Sequence, residues 1–248
     1  MKKYGLIGFP LGHSFSKGFF TQKFEKENIK DTSYELFPID DIAKIKDIIA
    51  QNPTLQGLNV TIPYKETVID FLDELHESAE AVGAVNVIKI KKGKLIGYNS
   101  DTFGFEKSLV EWFKGMEKSI PNFAFVLGTG GAAKAVYVSL KKLGVETYFV
   151  SRNTELRCFT YDDLNFFLKG NRSPVLIVNA TPVGTFPNVD AAPDLDYKRL
   201  KNKEFLYDLV YNPAETAFMQ KGKAQGCEVK SGLDMLHFQA EKAWEMWQ

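Results

Sequence analysis

The chain has 248 residues, 44% of them hydrophobic and 25% charged, and its 31 basic residues balance its 31 acidic ones. This composition is typical of a globular protein with one large or two modest domains, and it excludes collagen-like, disordered and disulfide-scaffold classes. A net charge of zero lacks the basic footprint of a protein that grips phosphate backbones, so no nucleic-acid partner is expected.

Cysteine and histidine usage predicts neither a metal site nor a disulfide framework. Cys158 and Cys227 are far apart, and the three histidines are scattered without metal-ligand spacing. The longest apolar run, residues 123–127, is far short of the roughly 20 residues that span a bilayer. Glycine and proline interrupt the region after Lys2 and Lys3 where a signal peptide would be apolar. We therefore expect a cytoplasmic protein with no membrane partner and no metal.

Strand-like runs alternate with segments of helical period in the first hundred residues. Strands are predicted at residues 4–8, 33–37 and 57–61. Helical spacing is predicted around residues 20–24 and 42–49, and as one long amphipathic helix over 68–82. Strands at 87–91 and 94–98 flank Lys92-Gly93, which predicts a hairpin.

The second half of the chain repeats the strand–helix alternation. A helix containing Phe105 is predicted to end near Gly115, and another helix is predicted at 132–143. Strands are predicted at 123–127, 145–150, 175–178 and 205–209. This rhythm is typical of parallel sheets wrapped by helices, and a new strand–turn–helix unit begins only after the Phe105 helix. We expect two α/β domains with a boundary near residue 100.

A glycine-rich turn follows the strand at 123–127. Gly128, Thr129, Gly130, Gly131 and Ala132 lie between that strand and the next helix. Glycines permit a tight turn and a close approach of backbone to a pyrophosphate, which the helix N-terminus then attracts. This context predicts a Rossmann-type dinucleotide site.

The end of the following strand indicates which dinucleotide binds. An NAD site usually carries an acidic residue there, whereas this chain has Ser151, Arg152 and Asn153. The guanidinium of Arg152 suits a 2′-phosphate. We therefore predict NADP as the cofactor.

Two charged residues lie where loops of α/β sheets present ligands. Lys65 follows a predicted strand end, and Asp101 begins the Phe105 helix. A lysine beside a carboxylate can donate and accept a proton. A surface lysine and a helix-capping aspartate would have the same pattern, so the residues alone leave the chemistry open.

The ordered set of motifs resembles the shikimate dehydrogenase family from about residue 4 to the C-terminus. The blocks are Gly8-Phe9-Pro10 with Ser14 and Ser16, Asn59-Val60-Thr61-Ile62-Pro63-Tyr64-Lys65, Gly83-Ala84-Val85-Asn86, Asn99-Ser100-Asp101-Thr102-Phe103-Gly104, the Gly128 loop, Asn179-Ala180-Thr181-Pro182-Val183-Gly184, Tyr207-Asp208-Leu209-Val210-Tyr211-Asn212-Pro213 and Gly232-Leu233-Asp234-Met235-Leu236-His237-Phe238-Gln239.

The resemblance implies an NADP-dependent, reversible reduction of 3-dehydroshikimate to shikimate, on the way to chorismate and aromatic amino acids. Residues 1–100, completed by 226–248, would form the substrate-binding catalytic domain, and residues 101–225 the Rossmann-type NADP-binding domain. A C-terminal helix would return to the first domain. The active site would lie in the cleft between the domains.

Residue roles follow from the same resemblance. Lys65 and Asp101 match the catalytic pair. The matches to substrate-binding residues are Ser14, Ser16, Asn59, Thr61, Asn86, Tyr211 and Gln239. The matches to cofactor-binding residues are Gly128, Thr129, Gly130, Gly131, Ala132, Ser151, Arg152, Asn153, Leu209 and Gly232.

Three other functions remain open at this point. One is a quinate/shikimate dehydrogenase that uses NAD, and another is a dehydrogenase of a different small carboxylic acid. The third is a non-catalytic binding protein on the same fold. For the shikimate dehydrogenase that the resemblance implies, the expected partners are the small molecules shikimate and 3-dehydroshikimate, with the protein a monomer or a homodimer.

Overall fold

The computed structural model describes residues 1–12, 14–152 and 158–248. The chain divides into two compact units, the first comprising residues 1–100 with 239–248 and the second residues 101–238. Each unit contains its own sheet covered by helices. The prediction of two α/β domains is confirmed at the level of fold class.

The first unit is built on a six-stranded mixed sheet in the order β2-β1-β3-β5-β6-β4. Its strands are β1 (Lys2–Gly8), β2 (Thr32–Pro38), β3 (Leu55–Val60), β4 (Glu74–Leu75), β5 (Val87–Lys91) and β6 (Lys94–Tyr98). Its helices are α1 (Phe15–Lys26), α2 (Ile45–Gln51) and α3 (Glu77–Glu80). Strand β1 pairs parallel with β2 and β3, whereas β5 runs antiparallel to β3 and β6.

The hairpin between β5 and β6 has the predicted turn. Lys92 and Gly93 have φ values of 52° and 80°. A two-residue turn with both φ values positive matches the right-handed twist of the strands it joins. This confirms the hairpin about Lys92-Gly93.

The prediction of one long helix over residues 68–82 is wrong. The chain there forms a 3-10 helix (Thr67–Phe71), strand β4 and the one-turn helix α3. Strand β4 pairs with β6, and Leu72 packs where a Cβ on Gly97 would otherwise lie. The apolar residues do face one core, but sheet pairing rather than a continuous helix places them there.

The second unit has a five-stranded sheet in the order β11-β10-β9-β7-β8, with every pairing parallel. Its strands are β7 (Phe123–Leu127), β8 (Glu146–Val150), β9 (Val175–Asn179), β10 (Glu204–Asp208) and β11 (Glu228–Ser231). Its helices are α4 (Asp101–Gly115), α5 (Gly131–Lys142), α6 (Tyr161–Gly170), α7 (Ala217–Lys223) and the start of α8 (Leu233–Trp247). This is the doubly wound arrangement that the glycine-rich turn predicts.

The return of the chain to the first unit lies later than residue 226. Strand β11 pairs with β10, which keeps residues 228–231 in the second sheet. The division between the compact units falls within α8, and the first unit resumes at Gln239.

The end of α8 completes the core of the first unit. The Trp247 ring packs on Tyr4 and Phe20 with centroid distances of 4.8 and 5.4 Å. Its indole nitrogen donates to the carbonyl of Ile88 at 2.9 Å. The indole occupies space that a Cβ on Gly57 would fill. Glycine at this strand position therefore admits the C-terminal helix.

Replacing Trp247 by phenylalanine is expected to lower the free energy of unfolding by about 1–3 kcal/mol, because the buried hydrogen bond from the indole to Ile88 and part of the ring packing are lost. Urea unfolding followed by circular dichroism measures this change. The matched control is Trp244→Phe, since Trp244 is only partly buried in the same cluster. Equal losses in the two variants would contradict the account.

Candidate active site

Two buried asparagines connect neighbouring segments at one end of the first sheet. Asn59, near the end of β3, donates from Nδ2 to the carbonyl of Asn86 at 3.2 Å. The same carbonyl accepts the backbone N–H of Val60 at 2.9 Å. Asn86 Oδ1 accepts the backbone N–H of Ser100 at 2.8 Å, and Asn86 Nδ2 donates to Ser100 Oγ at 3.0 Å. These bonds bring together the ends of three segments that are distant in sequence.

Gln239 joins this network from α8. Ser100 Oγ lies 3.3 Å from Gln239 Oε1, in donor position. Among the predicted substrate residues, Asn59, Asn86 and Gln239 therefore lie in one connected set. Ser100 links Asn86 to Gln239, although the sequence predicted no role for it.

The predicted carboxylate-binding serines lie at the start of α1. Ser14 is the N-cap residue with extended backbone, and within the described part of the chain its hydroxyl does not cap the helix. Ser16 lies in the first turn. Hydroxyls beside the free N–H groups of a helix N-terminus favour an anion. This end of α1 can hold a carboxylate.

Thr61 follows β3 directly and approaches β1 closely. Its backbone N–H donates to the carbonyl of Ile7 at 3.0 Å. A Cβ on Gly8 would lie 2.4 Å from Thr61 Cγ2, so only glycine fits there. The glycine of the Gly-Phe-Pro block, Gly8, thus allows Thr61 to lie beside the end of β1.

The predicted catalytic residues are chain neighbours or bonding partners of residues beside the asparagine network. The carbonyl of Lys65 accepts the N–H of Val85, the neighbour of Asn86, at 2.7 Å. Asp101 follows Ser100 in the chain, and it is 5% exposed in the first turn of α4. Asp101 is thus a helical residue and not the cap.

The glycine-rich loop of the second unit has the geometry of an anion cradle. Gly128 has a φ of 100°, and Gly130 is the N-cap residue of the twelve-residue helix α5. A Cβ built on Gly130 meets no described atom within 4 Å. Thr129, Gly131 and Ala132 complete the loop and the first turn of α5. Open space above the N-terminus of α5 fits a dinucleotide pyrophosphate.

The predicted 2′-phosphate residues follow β8. Ser151 donates its N–H to the carbonyl of Phe159 at 2.9 Å. Arg152 is exposed. Burial raises the pKa of Tyr161, and the positive charge of Arg152 partly opposes that rise. Asn153 lies outside the described residues.

The predicted nicotinamide-side positions lie together. An added Cβ on Gly232 would come within 2.4 Å of the carbonyl of Leu209, so the two backbones touch. Tyr211, two residues after Leu209, is 37% exposed. Its pKa is raised by burial of the rest of the side chain.

Asp208 braces the loops that carry these residues. Asp208 Oδ1 accepts from Asn179 Nδ2 at 2.9 Å and from the N–H of Val210 at 3.0 Å, and Oδ2 accepts from Thr216 Oγ1 at 2.5 Å. Thr216 in turn caps α7 through the N–H of Met219. Burial raises the pKa of Asp208 to about 6, although these hydrogen bonds oppose the rise. The sequence placed Asp208 in a motif without predicting this role.

Within the described ranges, no group of three or more His, Cys, Asp or Glu side chains could hold a metal ion.

A membrane-spanning helix, long and apolar enough to cross a bilayer, is likewise not found among the residues described.

Comparison with known proteins places both units in one family. The family model for the shikimate dehydrogenase substrate binding domain matches residues 6–88. A shikimate dehydrogenase (NADP(+)) of Desulforamulus reducens is 35% identical, with 98% of this chain and 88% of that protein covered.

Solved structures give the same result. Shikimate dehydrogenase 1 of Peptoclostridium difficile has a TM-score of 0.86 and 36% identity, covering 100% of this chain and 92% of that chain. The Thermus thermophilus shikimate 5-dehydrogenase, solved in complex with NADP(H) and shikimate, has a TM-score of 0.82 and 30% identity, covering 100% and 94%.

Asp208 should make stability fall with rising pH. Because its pKa is raised from 3.8 to about 6 in the folded state, the folded protein binds more protons than the unfolded one between about pH 4 and 6. The shift corresponds to about 3 kcal/mol. We expect the free energy of unfolding of Asp208→Asn, relative to that of wild type, to increase by up to about 3 kcal/mol as pH rises from 4 to 7. Urea unfolding at each pH measures this difference.

Asp163→Asn is the control, because hydrogen bonds from Thr160 lower the pKa of the exposed Asp163 carboxyl. Its relative stability should change in the opposite direction with pH. Parallel pH profiles for wild type and Asp208→Asn would contradict the assignment.

Proposed function

The chain belongs to the shikimate dehydrogenase family, and on that premise we propose that it catalyses the reversible, NADP-dependent reduction of 3-dehydroshikimate to shikimate. The observation that carries this proposal is similarity over the whole chain, through both units, to a shikimate dehydrogenase (NADP(+)) and to a shikimate 5-dehydrogenase solved with NADP(H) and shikimate. The family places the reaction on the way to chorismate and aromatic amino acids. The enzyme is then an oxidoreductase acting on a CH–OH group.

The first unit is proposed to bind the substrate. Shikimate carries a carboxylate and several ring hydroxyls, which require a dense set of polar partners because an unpaired buried hydroxyl costs about 1–3 kcal/mol. Ser14, Ser16 and Tyr211 are proposed to hold the carboxylate. Asn59, Thr61, Asn86 and Gln239 are proposed to bind or flank the ring hydroxyls. The hydrogen bonds among Asn59, Asn86, Ser100 and Gln239 support this assignment.

The second unit is proposed to bind NADP. The N-terminus of α5 and the open space at Gly130 support placing the pyrophosphate on the Gly128–Ala132 loop. Ser151, Arg152 and Asn153 are proposed for the 2′-phosphate, and the backbones of Leu209 and Gly232 for the nicotinamide side. Bound NADP supplies the hydride acceptor or donor.

Lys65 and Asp101 are proposed to carry the proton. In the oxidative direction the carbon that bears the reacting hydroxyl would lose a hydride, for which bound NADP would be the acceptor, and Lys65 would accept the proton of that hydroxyl. In reduction, Lys65 returns a proton to the carbonyl oxygen. Asp101, as a carboxylate, would stabilise the ammonium form of Lys65. The bonds of Lys65 to Val85 and of Ser100, the residue before Asp101, to Asn86 support these two positions.

Three broader assignments are part of the same proposal. The protein is placed in the cytoplasm, its partners are small molecules, and it is a monomer or a homodimer. The two cysteines are not joined by a disulfide, which suits a reducing compartment.

The reaction is tested by absorbance of reduced nicotinamide with purified protein and shikimate, with NADP in one cuvette and NAD in another. An increase with NADP and little with NAD is expected. An increase mainly with NAD would keep the reaction and contradict the cofactor. Silence with shikimate and turnover of quinate would favour quinate dehydrogenase, and silence with both would favour a binding protein.

Lys65→Ala is expected to lower kcat by about 10²–10⁴-fold, the usual contribution of a positioned acid or base. Shikimate binding, measured by titration calorimetry, should remain detectable. Lys94→Ala is the control, since Lys94 is exposed on β6 and paired with Glu74. Unchanged kcat in Lys65→Ala would rule out the proposed role.

Gly130→Ala is expected to weaken NADPH binding by tenfold or more without lowering the melting temperature. The added methyl group meets no described atom, so it occupies only the space left for the pyrophosphate. Fluorescence titration with NADPH measures the dissociation constant. Gly115→Ala, also in the second unit and with similarly open space, should bind NADPH normally; equal binding by both variants would contradict the placement of the pyrophosphate.

A further inference from the structure

Tyr34 is buried beneath the network of the first unit, away from any predicted role. Its side chain is 3% exposed, and its ring stacks on Phe20 at a centroid distance of 4.6 Å and an interplanar angle of 14°. Its hydroxyl points away from the apolar cluster and donates to Asn59 Oδ1 at 2.7 Å. The apolar packing fixes the ring, and the ring fixes the position of the hydroxyl.

The hydroxyl determines which way the amide of Asn59 faces. Asn59 Nδ2 donates to the carbonyl of Asn86, which is only an acceptor. A turned amide would set Oδ1 against that carbonyl and Nδ2 against the hydroxyl of Tyr34. With Tyr34 donating, both ends of the amide are satisfied in one orientation.

Ser16 is a second hydrogen-bonding partner of this hydroxyl. Burial raises the pKa of Tyr34, and a hydrogen bond with Ser16 partly opposes that rise. Because Tyr34 gives its one proton to Asn59, Ser16 is the donor in this contact. Tyr34 therefore interacts with two side chains that are proposed to bind substrate.

We propose that Tyr34 is a positioning residue for shikimate: its hydroxyl holds Ser16 Oγ where the substrate carboxylate binds and the Asn59 amide where the ring hydroxyls bind. This inference rests on the proposed function. Tyr34 itself is buried beneath these residues and acts through them. Its loss should therefore affect the affinity for shikimate and leave the affinity for NADP and the proton-transfer step largely unchanged.

The test is steady-state kinetics of Tyr34→Phe, which keeps the ring packed on Phe20 and removes only the hydroxyl. We expect KM for shikimate to rise about five- to fiftyfold, with KM for NADP and kcat within about twofold of wild type. The control is Tyr207→Phe, which removes an equally buried hydroxyl bonded to Ser108 at 2.8 Å in the second unit. It should leave KM for shikimate unchanged.

A double-mutant cycle with Ser16→Ala separates positioning from a structural role. If Tyr34 acts through Ser16, the effect of Tyr34→Phe on KM for shikimate shrinks in the Ser16→Ala background. A full, additive effect in both backgrounds, or the same rise in Tyr207→Phe, would overturn the inference.

A second variant protects the test against misfolding. With 3-fluorotyrosine at position 34 the hydroxyl is retained, and the fluorine resonance is expected to shift when shikimate saturates the protein. An unshifted resonance, or an unchanged KM in Tyr34→Phe beside an active wild type, overturns this inference alone. A wild-type protein that neither binds nor oxidises shikimate overturns the proposed function as well.

Discussion

The hydrogen bonds of Asn59 and Asn86 are the constraint on which the first unit depends. Both side chains are buried, at 6% and 3% exposure, at the end of a sheet where β3 and β5 run in opposite directions. A buried amide left unpaired costs about 1–3 kcal/mol, so these residues stabilise the fold only when their partners are in place. Their partners include Tyr34 and Ser100, and the loop bearing Lys65 is bonded to the residue beside Asn86. Because the donors and acceptors of this network are all paired in one geometry only, the network also fixes the positions of the polar side chains around it.

The second unit depends on a different constraint, because its backbone must come close to an anion. Its parallel strands place the Gly128 loop, the Asn179 loop and the Leu209 loop at one edge of the sheet. The first of these loops needs glycine for the positive φ at Gly128. The other two are held by one buried carboxylate, Asp208. Burying that charge raises its pKa, which is the cost of fixing two loops with a single acceptor.

Local patterns predicted the strands and the dinucleotide loop well, since alternation and glycine spacing report directly on backbone geometry. They failed over residues 68–82, because an apolar period of 3.6 fits any segment that turns the same side chains toward one core. Helix α6 has a capping box of Thr160 and Asp163 that the sequence displays, and that signal could have located the helix. Strand β11 was missed because it is short and only partly buried.

The site shows the same division between local and tertiary information. Motifs named Lys65, Asp101 and the small polar residues, because those blocks are short and continuous in sequence. Tyr34 lies in β2, outside every motif, and only the pairing of β1 with β2 and β3 brings it to Asn59. Ser100 and Asp208 lie inside motifs, but their partners are distant in sequence.

The most direct test of the account is a crystal structure of the protein with shikimate bound. We predict ring hydroxyls within about 3 Å of Asn86 and Thr61, the carboxylate at the same distance from Ser14 or Ser16, and the Asn59 amide still bonded to Tyr34. Shikimate bound away from these side chains, or an Asn59 amide withdrawn from Tyr34, would contradict it.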